Sequence, residues 1–451
     1  MKESKDLTRG PIASAIVRLA LPILGTSFVM MMYSFVDMAW LGRLGSEEVA
    51  ATSAASVFIW LANSISLFNK VGAETTVGYS LGQKDGDAAK RYATHTVTLA
   101  TLMGIFVMAV YWLTAPTLIG FYKMAPEISG YGISYLRIAA FGVPLIFLGM
   151  ALTGVYNATG HSDVPFMMTT IGVVLNIVLD PIFIFVLDLG VAGAAYATLL
   201  SQIAGLGLLV IRMDKDRLLG GFRYLTLKLE RKKTFLLFKI GGAVALMNAL
   251  FSLINLSLGR FASLAGGHIG VTAMSIGGQL EGVSFHTAEG FSTALSAFVA
   301  QNYGAGKSER IRRGLRFAVT FSVIAGLMVT ALFYFCGTGI FALIVPDPVA
   351  AAEGGRYLRI NSFAEIFMML EITFQGFFYG LQRSIPPSVI SITGNLLRIP
   401  AAWFFLSRVP GLSTLWIVIM VSSVLKGIAS LLYYLYSREK SLFSISRLLH
   451  I

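Results

Sequence analysis

Acidic side chains inside long apolar segments are the residues of this chain best suited to chemistry. Asp37 lies in the first apolar segment, and Asp180 lies in a later one, four residues after Asn176. Residues at that spacing share one face of a helix. If these segments cross a membrane, each ionised side chain costs about 2.5–3.5 kcal/mol on insertion scales, and such residues mark functional sites.

A short turn at 189–190 reverses the chain after Asp180. Asp180 and Thr198 are each about nine residues from this turn, so both lie roughly 13 Å from it. Pro181 removes a backbone donor next to the acid. Oxygen atoms at related depths could bind Na⁺, and two neighbouring acids could share a proton. The alternative is that these side chains only bond to one another between packed helices. The predicted cation-coupling site, with Na⁺ as the candidate metal ion, consists of Asp37, Asn176, Asp180 and Thr198.

The second half of the chain carries its own acids within apolar segments. Glu365 and Glu371 lie in the tenth such segment, and Glu281 lies near the middle of the eighth. They could form a second coupling site or contact a cationic substrate, or they could simply be bonded inside the bundle. The candidate polar or substrate site in this half consists of Glu281, Glu289, His286 and Asn255.

The composition is that of an integral membrane protein. Of 451 residues, 56% are hydrophobic and 13% are charged, whereas a soluble domain has roughly a quarter charged residues. The apolar segments reach the length of about 20 residues that crosses a bilayer. The first, at 13–41, is too long for the core of a signal peptide and predicts a retained helix. The single cysteine, Cys336, cannot form an intrachain disulfide.

Twelve membrane spans are predicted, and their connections differ in charge. The predicted spans are 13–41, 50–80, 90–116, 130–157, 164–187, 190–212, 236–262, 268–300, 311–345, 355–381, 386–407 and 411–437. Lysines and arginines concentrate in alternate connections, which accounts for the net charge of +12 without a nucleic-acid partner. By the positive-inside rule we expect both termini in the cytoplasm of a multi-pass protein of the cell (inner) membrane.

A repeat divides the chain near its middle. The block at 135–138, Tyr-Leu-Arg-Ile, recurs at 357–360, and an even number of spans in each half makes the repeats parallel. The predicted fold is all-α, with two pseudo-symmetric six-helix bundles. At the repeat offset Asn255 stands opposite Asp37, Arg398 opposite Asn176, and Ala402 opposite Asp180. The predicted domains are an N-lobe at 1–212, a basic cytoplasmic linker at 213–235, a C-lobe at 236–437 and a cytoplasmic tail at 438–451.

The most specific segment runs from Asn176 through Asp-Pro-Ile-Phe at 180–183 to Thr198, and Gln-Asn-Tyr-Gly-Ala-Gly follows at 301–306. Together with Leu-Pro-Ile at 21–23 and Gly-Gln at 82–83, these segments resemble the multidrug and toxic compound extrusion (MATE) family over nearly the whole chain. The resemblance implies two six-helix lobes that form a V. In the prokaryotic branch with an N-lobe cation site, it implies that Asp37, Asn176, Asp180 and Thr198 form this site and that helix 1 bends at Pro22. Some members carry C-lobe acids in the seventh and tenth helices, but here the seventh offers Asn248 and Asn255.

The expected function is secondary active efflux by alternating access. The expected cargo is a small amphipathic or cationic drug-like compound, exported in exchange for H⁺ or Na⁺. The alternative is a flippase of the same superfamily that moves lipid-linked or polyanionic cargo. We expect no enzymatic activity, no cofactor, and a monomer whose partners are the lipid bilayer and its organic substrates.

Overall fold

The computed structural model describes residues 5–41, 43–122, 124–226, 228–344 and 347–439, and these residues form helices and turns without a β-strand. A π-helical turn, Ile182–Val186, follows α6, and a 3-10 turn, Leu218–Gly220, follows α7. The helices are α1 (Ile12–Leu41), α2 (Ser46–Gly82), α3 (Gly86–Gly120), α4 (Pro126–Ala140), α5 (Val143–Ala158), α6 (Asp163–Pro181), α7 (Gly190–Asp216), α8 (Arg231–Gly304), α9 (Ser308–Ile344), α10 (Pro348–Gly380), α11 (Ile385–Leu396), α12 (Arg398–Leu406) and α13 (Leu412–Glu439). Of the predicted tail at 438–451, everything beyond 439 lies outside the described residues.

Each of the twelve predicted spans coincides with helix, but not every span is one regular helix of its own. The fourth consists of α4 and α5, which meet at 42°, and the eleventh consists of α11 and α12. Pro144 and Pro400 lie just after these two breaks. A proline has no backbone N–H for the preceding turn, which explains why the helices are interrupted there. The seventh and eighth spans both lie in α8, which leaves helical geometry at Gly266 and Gly267.

Nine helices of the described chain are long and apolar enough to cross a membrane, or ten if α4 and α5 count as one span. One of the nine is α8, which covers two predicted spans. The helix α10 is not among them, and it carries the buried acids Glu353, Glu365 and Glu371. The all-α, multi-pass membrane architecture predicted from the sequence is confirmed.

The chain divides into two compact units. Within the described residues, the first unit covers 5–10 and 18–245, and the second covers 11–17 and 246–439. The chain passes from one unit to the other three times: between Gly10 and Pro11, inside α1 between Val17 and Arg18, and inside α8 between Ala245 and Leu246.

Each unit has its own buried core. In the first unit α2, α3 and α5 pack together around Phe147 and Tyr156. In the second unit α10 packs against α9 and α13, and the Trp416 indole donates to Glu353 Oε1 over 2.9 Å. Inside a bilayer such helices associate through close packing and internal hydrogen bonds rather than by escape from water.

The two units repeat one side-chain contact. The Arg137 guanidinium lies over the Trp112 ring at 5.5 Å, and Arg359 lies over the Tyr334 ring at 5.6 Å. Both arginines belong to the repeated Tyr-Leu-Arg-Ile block, and the aromatic ring precedes each of them by the same number of residues. The repeat in sequence is therefore also a repeat of structure.

Candidate functional site

A buried polar cluster in the first unit joins α6 to α7. The Asn176 amide donates to Asp180 Oδ1 over 3.0 Å and lies 3.4 Å from Thr198 Oγ1. Asn176 and Asp180 are buried, with exposed fractions of 2% and 0%. One amide therefore connects the acid to the hydroxyl of the neighbouring helix.

The backbone between Asp180 and Thr198 brings these two residues together. The helix α6 ends at Pro181, and the chain continues as a π-helical turn over Ile182–Val186. Turns of this kind are frequent at functional sites. Gly193, in the first turn of α7, packs so closely on this turn that an added Cβ would lie 2.4 Å from the Phe183 carbonyl oxygen. The lack of a side chain at Gly193 thus sets how near α7 approaches α6.

The cluster has oxygen atoms that no protein group satisfies. Within the described residues, Asp37 Oδ1, Asn176 Oδ1 and Asp180 Oδ2 are buried without a hydrogen-bond partner. The charge of Asp37 acts on Asp180, so the two acids belong to one electrostatic site. Buried polar atoms are almost always paired. Three unpaired oxygens from two helices, with the Thr198 hydroxyl beside them, form a set of ligands suited to a small cation.

Two tyrosines of this cluster were missed by the sequence analysis. The Tyr33 and Thr198 hydroxyls share a hydrogen bond of 3.4 Å, and the charge of Asp37 acts on Tyr33. Both Asp37 and Asp180 also act on Tyr135, which is 8% exposed. Two signals were present in the sequence: Tyr33 precedes Asp37 by one helical turn, and Tyr135 opens the repeated block.

Pro22 lies inside α1, which continues as a helix on both sides of it. Its carbonyl accepts a hydrogen bond from the Thr26 hydroxyl over 3.0 Å. A proline leaves the carbonyl four residues earlier, here that of Arg18, without its helical donor. Arg18 is also the residue at which α1 passes into the first unit. The helix is thus weakened close to the boundary between the units.

In the second unit, the half-buried Glu281 of α8 and the buried Glu365 of α10 belong to one polar group. The Tyr357 hydroxyl donates to Glu281 Oε2 over 3.0 Å, and the Ser284 hydroxyl donates to Glu365 Oε2 over 2.7 Å. Glu281 and Glu365 interact electrostatically. Tyr357 is the repeat counterpart of Tyr135, so the repeated tyrosine interacts with acids of its own unit in both halves.

The other candidates of the second half do not join Glu281. His286 Nδ1 lies 3.2 Å from Glu289 Oε2, and these two form a pair of their own, about one turn apart on α8. Asn255 makes no hydrogen bond with any of them in the described part of the chain. Over the same residues, no group of three or more His, Cys, Asp or Glu side chains is placed to hold a metal ion.

The comparison with sequence families matches this duplicated architecture. The model of the MatE family matches the chain twice, at residues 22–182 and 243–404, which together are well over half of it. The model of the lipid II flippase MurJ matches a shorter stretch, residues 131–260.

Individual relatives are similar over nearly their full length. The probable multidrug resistance protein NorM of Thermotoga maritima is 24% identical in an alignment of 441 positions that covers 94% of this chain and 92% of that protein. The FAD transporter of Shewanella oneidensis is 26% identical in an alignment of 454 positions that covers 97% of this chain and 97% of that protein.

The fold also matches a solved structure, the outward-facing conformation of a multidrug resistance MATE family transporter of the MOP superfamily. The TM-score is 0.90 at 23% identity, over 98% of this chain and 100% of the other. The fold agrees over 98% of this chain, and the family model matches each half once. This chain therefore belongs to the MatE family of multidrug and toxic compound extrusion transporters.

Proposed function

We propose that this chain is a secondary active exporter that exchanges amphipathic, mainly cationic compounds for H⁺ or Na⁺. The observation that carries the proposal is the set of three unpaired buried oxygens on Asp37, Asn176 and Asp180. A cation or proton at this cluster would satisfy them. The names of the relatives support export of drug-like compounds.

In the proposed mechanism the ion and the cargo alternate. Entry of the ion neutralises the Asp37 and Asp180 carboxylates, which removes negative charge that would hold a cationic cargo. The change in charge bends α1 about Pro22, where the helix lacks a hydrogen bond. The ion drives transport only through its different affinity for the two conformations of the protein.

The proposal also covers the oligomeric state, the membrane and the orientation of the protein. The chain acts as a monomer in the cell (inner) membrane, and its two termini lie in the cytoplasm. The placement of Lys and Arg in alternate connections of the sequence supports the cytoplasmic side of the termini.

The test is uptake of a fluorescent organic cation into proteoliposomes under separately imposed Na⁺ and H⁺ gradients. Wild type should follow one of the two gradients, and Asp37→Asn should lose that dependence while keeping its fold. Asp188→Asn is the matched control, because Asp188 is an exposed acid in the turn between α6 and α7. Transport by Asp37→Asn that still follows the imposed gradient would contradict the proposed site.

A flippase of lipid-linked cargo is the second candidate, favoured by the match of the MurJ model to residues 131–260. It predicts movement of a lipid-linked oligosaccharide between leaflets and no export of organic cations. The proteoliposome assay separates the two, because a folded protein that moves no cation under either gradient would favour the flippase.

A further inference from the structure

A large groove lies in the second unit, between the pair α11–α12 and the helix α13. Its volume is about 670 Å³, within the range of about 300–1,000 Å³ that is typical of ligand sites. Most of the lining is aliphatic or aromatic, for example Leu397, Phe405 and Val421. The candidate cation cluster of the first unit contributes nothing to it.

The charged residues that line the groove are both basic. They are Arg398 and Lys426, and no Asp or Glu is among the lining residues. Lys426 is neutralised, because its amine lies 3.0 Å from Glu371 Oε2. A groove with this lining suits a ligand that is largely apolar and carries negative charge.

Of the two basic residues that line the groove, Arg398 is the one without a carboxylate partner in the described part of the chain. It is 5% exposed, and it donates through Nε to Ser422 Oγ over 3.0 Å and through Nη2 to Ser423 Oγ over 2.8 Å. Within the described residues no carboxylate lies within ion-pair distance of its guanidinium. Serine hydroxyls accept hydrogen bonds but carry no charge. A guanidinium has five N–H donors, so these two bonds also leave donors for a ligand.

Two acids act on Arg398 from beyond ion-pair distance, and among the residues that the structure describes only Glu371 has a cationic partner of its own. Glu371 is paired with Lys426 and accepts from the Gln375 amide, and Glu281 accepts from Tyr357. An ionised group at membrane depth without a neutralising partner is costly. A bound anion would remove that cost, which makes Arg398 the natural anchor of a ligand.

The internal repeat supports the assignment. Arg398 occupies the repeat position of Asn176, and Ala402 occupies that of Asp180. One location in the duplicated fold thus carries an acid and an amide in the first unit and a guanidinium in the second. The sign of the charge is reversed between the units, so the location that suits a cation in one suits an anion in the other.

The depth of Arg398 selects between two sources of anion. Arg398 follows the start of α11 by about 13 residues and precedes the end of α12 by about eight. At the rise of a helix, it lies roughly 20 Å from the first end and roughly 12 Å from the second. The hydrocarbon core is about 30 Å thick, so Arg398 lies near its middle. The headgroup of a lipid in the bilayer lies at the interface, out of reach, whereas a free molecule can place its anionic group there.

We propose that this groove binds a free amphipathic organic anion, with its carboxylate, sulfonate or phosphate on Arg398 and its apolar body along α11–α12 and α13. This site goes beyond the cation-coupled export proposed above, and its test does not depend on transport.

The test uses two probes that share one apolar ring system and differ in charge, anthracene-9-carboxylate and 9-(aminomethyl)anthracene. Binding to the purified full-length protein in a neutral detergent is followed by fluorescence. For wild type we expect the carboxylate to bind at least tenfold more tightly than the amine. Arg398→Gln should weaken carboxylate binding at least tenfold, and Arg398→Lys, which keeps the charge, should restore most of it.

Two further variants keep the result interpretable. Arg359→Gln removes an arginine that stacks on Tyr334 outside the groove, and it should leave the carboxylate affinity unchanged. Val421→Trp fills the groove and keeps both cations, and it should weaken binding even if Arg398→Gln does not fold.

Equal affinity for the two probes would overturn the proposal, and so would a carboxylate affinity that survives both Arg398→Gln and Val421→Trp in folded protein. Phosphatidylglycerol and phosphatidylcholine are then added as competitors. Displacement of the probe by phosphatidylglycerol alone would overturn the assignment to a free molecule and assign the groove to an anionic lipid.

Discussion

The Asn176 side-chain amide donates to Asp180 Oδ1 over 3.0 Å, one helical turn away on α6. The amide and the acid each keep one buried oxygen, Asn176 Oδ1 and Asp180 Oδ2, without a partner in the described part of the chain. The amide therefore orients the carboxylate while both side chains still offer an oxygen. This arrangement is expected of a preorganised cation site whose ligands are oriented before the ion binds.

Removing this amide should weaken ion binding. In Asn176→Leu, Asp180 Oδ1 loses its donor, and a buried acceptor left unpaired costs about 1–3 kcal/mol. We expect the ion concentration for half-maximal transport to rise about tenfold, which corresponds to about 1.4 kcal/mol. Thr170→Val is the control on α6, because the Thr170 hydroxyl donates within its own helix, to the Phe166 carbonyl. Equal effects of the two changes would show that Asn176 is merely structural.

Two tyrosines of the first unit should differ in role: Tyr135 should affect ion binding, and Tyr111 should affect stability. Tyr135→Phe removes a hydroxyl on which both Asp37 and Asp180 act, and we expect the ion requirement to shift about three- to tenfold. Tyr111→Phe removes a hydroxyl that donates to the Phe58 carbonyl over 2.8 Å in the same unit. It should lower the free energy of unfolding by about 1 kcal/mol and leave the ion requirement unchanged. Ion titration of transport and thermal unfolding measure the two effects. A shift with Tyr111→Phe and none with Tyr135→Phe would contradict this assignment.

Gly193 should tolerate no side chain. A Cβ there would lie 2.4 Å from the Phe183 carbonyl oxygen, so Gly193→Ala must push α7 away from the π-helical turn. Overpacking of this kind costs about 1–3 kcal/mol, and we expect both the melting temperature and the ion affinity to fall. Gly207 lies on the same helix with nothing near its position. Gly207→Ala should raise stability by up to about 1 kcal/mol, because alanine favours the helix. Similar melting temperatures for the two variants would show that α7 can move without loss.

His95 should hold the linker that joins the two halves. Its Nε2 accepts from the Glu230 backbone N–H over 2.9 Å, and its Nδ1 lies 2.8 Å from the Arg91 carbonyl oxygen. The carbonyl can only accept and the backbone N–H can only donate, so the neutral imidazole carries its proton on Nδ1. His95→Phe removes both bonds, and we expect trypsin to cut at residues 223–233 several times faster than in wild type. His268→Phe, at an exposed position of α8, should leave the cleavage rate unchanged. An unchanged rate in His95→Phe would mean that other contacts hold the linker.

The positions of the helices could be predicted from the sequence because the signal is local. The length of an apolar run determines whether it crosses a bilayer, and all twelve predicted spans coincide with helix. The interruptions next to Pro144 and Pro400 were not predicted, because a proline alone does not locate a break: α1 continues through Pro22. The sequence also does not show how sharply the axis bends. The bend depends on neighbouring helices, which supply the packing that a broken helix requires.

The sequence by itself determined the fold class, because that follows from composition. It also showed the duplication through the repeated block, and it placed Asn176 and Asp180 one turn apart through their spacing along one helix. Only the tertiary structure decided which side chains of different helices meet. It placed Tyr33 against Thr198, brought Glu281 and Glu365 into one group, and left Arg398 in a groove without a carboxylate. The physical reason is that distances between helices depend on packing between surfaces far apart in the chain, such as the contact of Gly193 with Phe183. No local pattern in the sequence encodes such a contact.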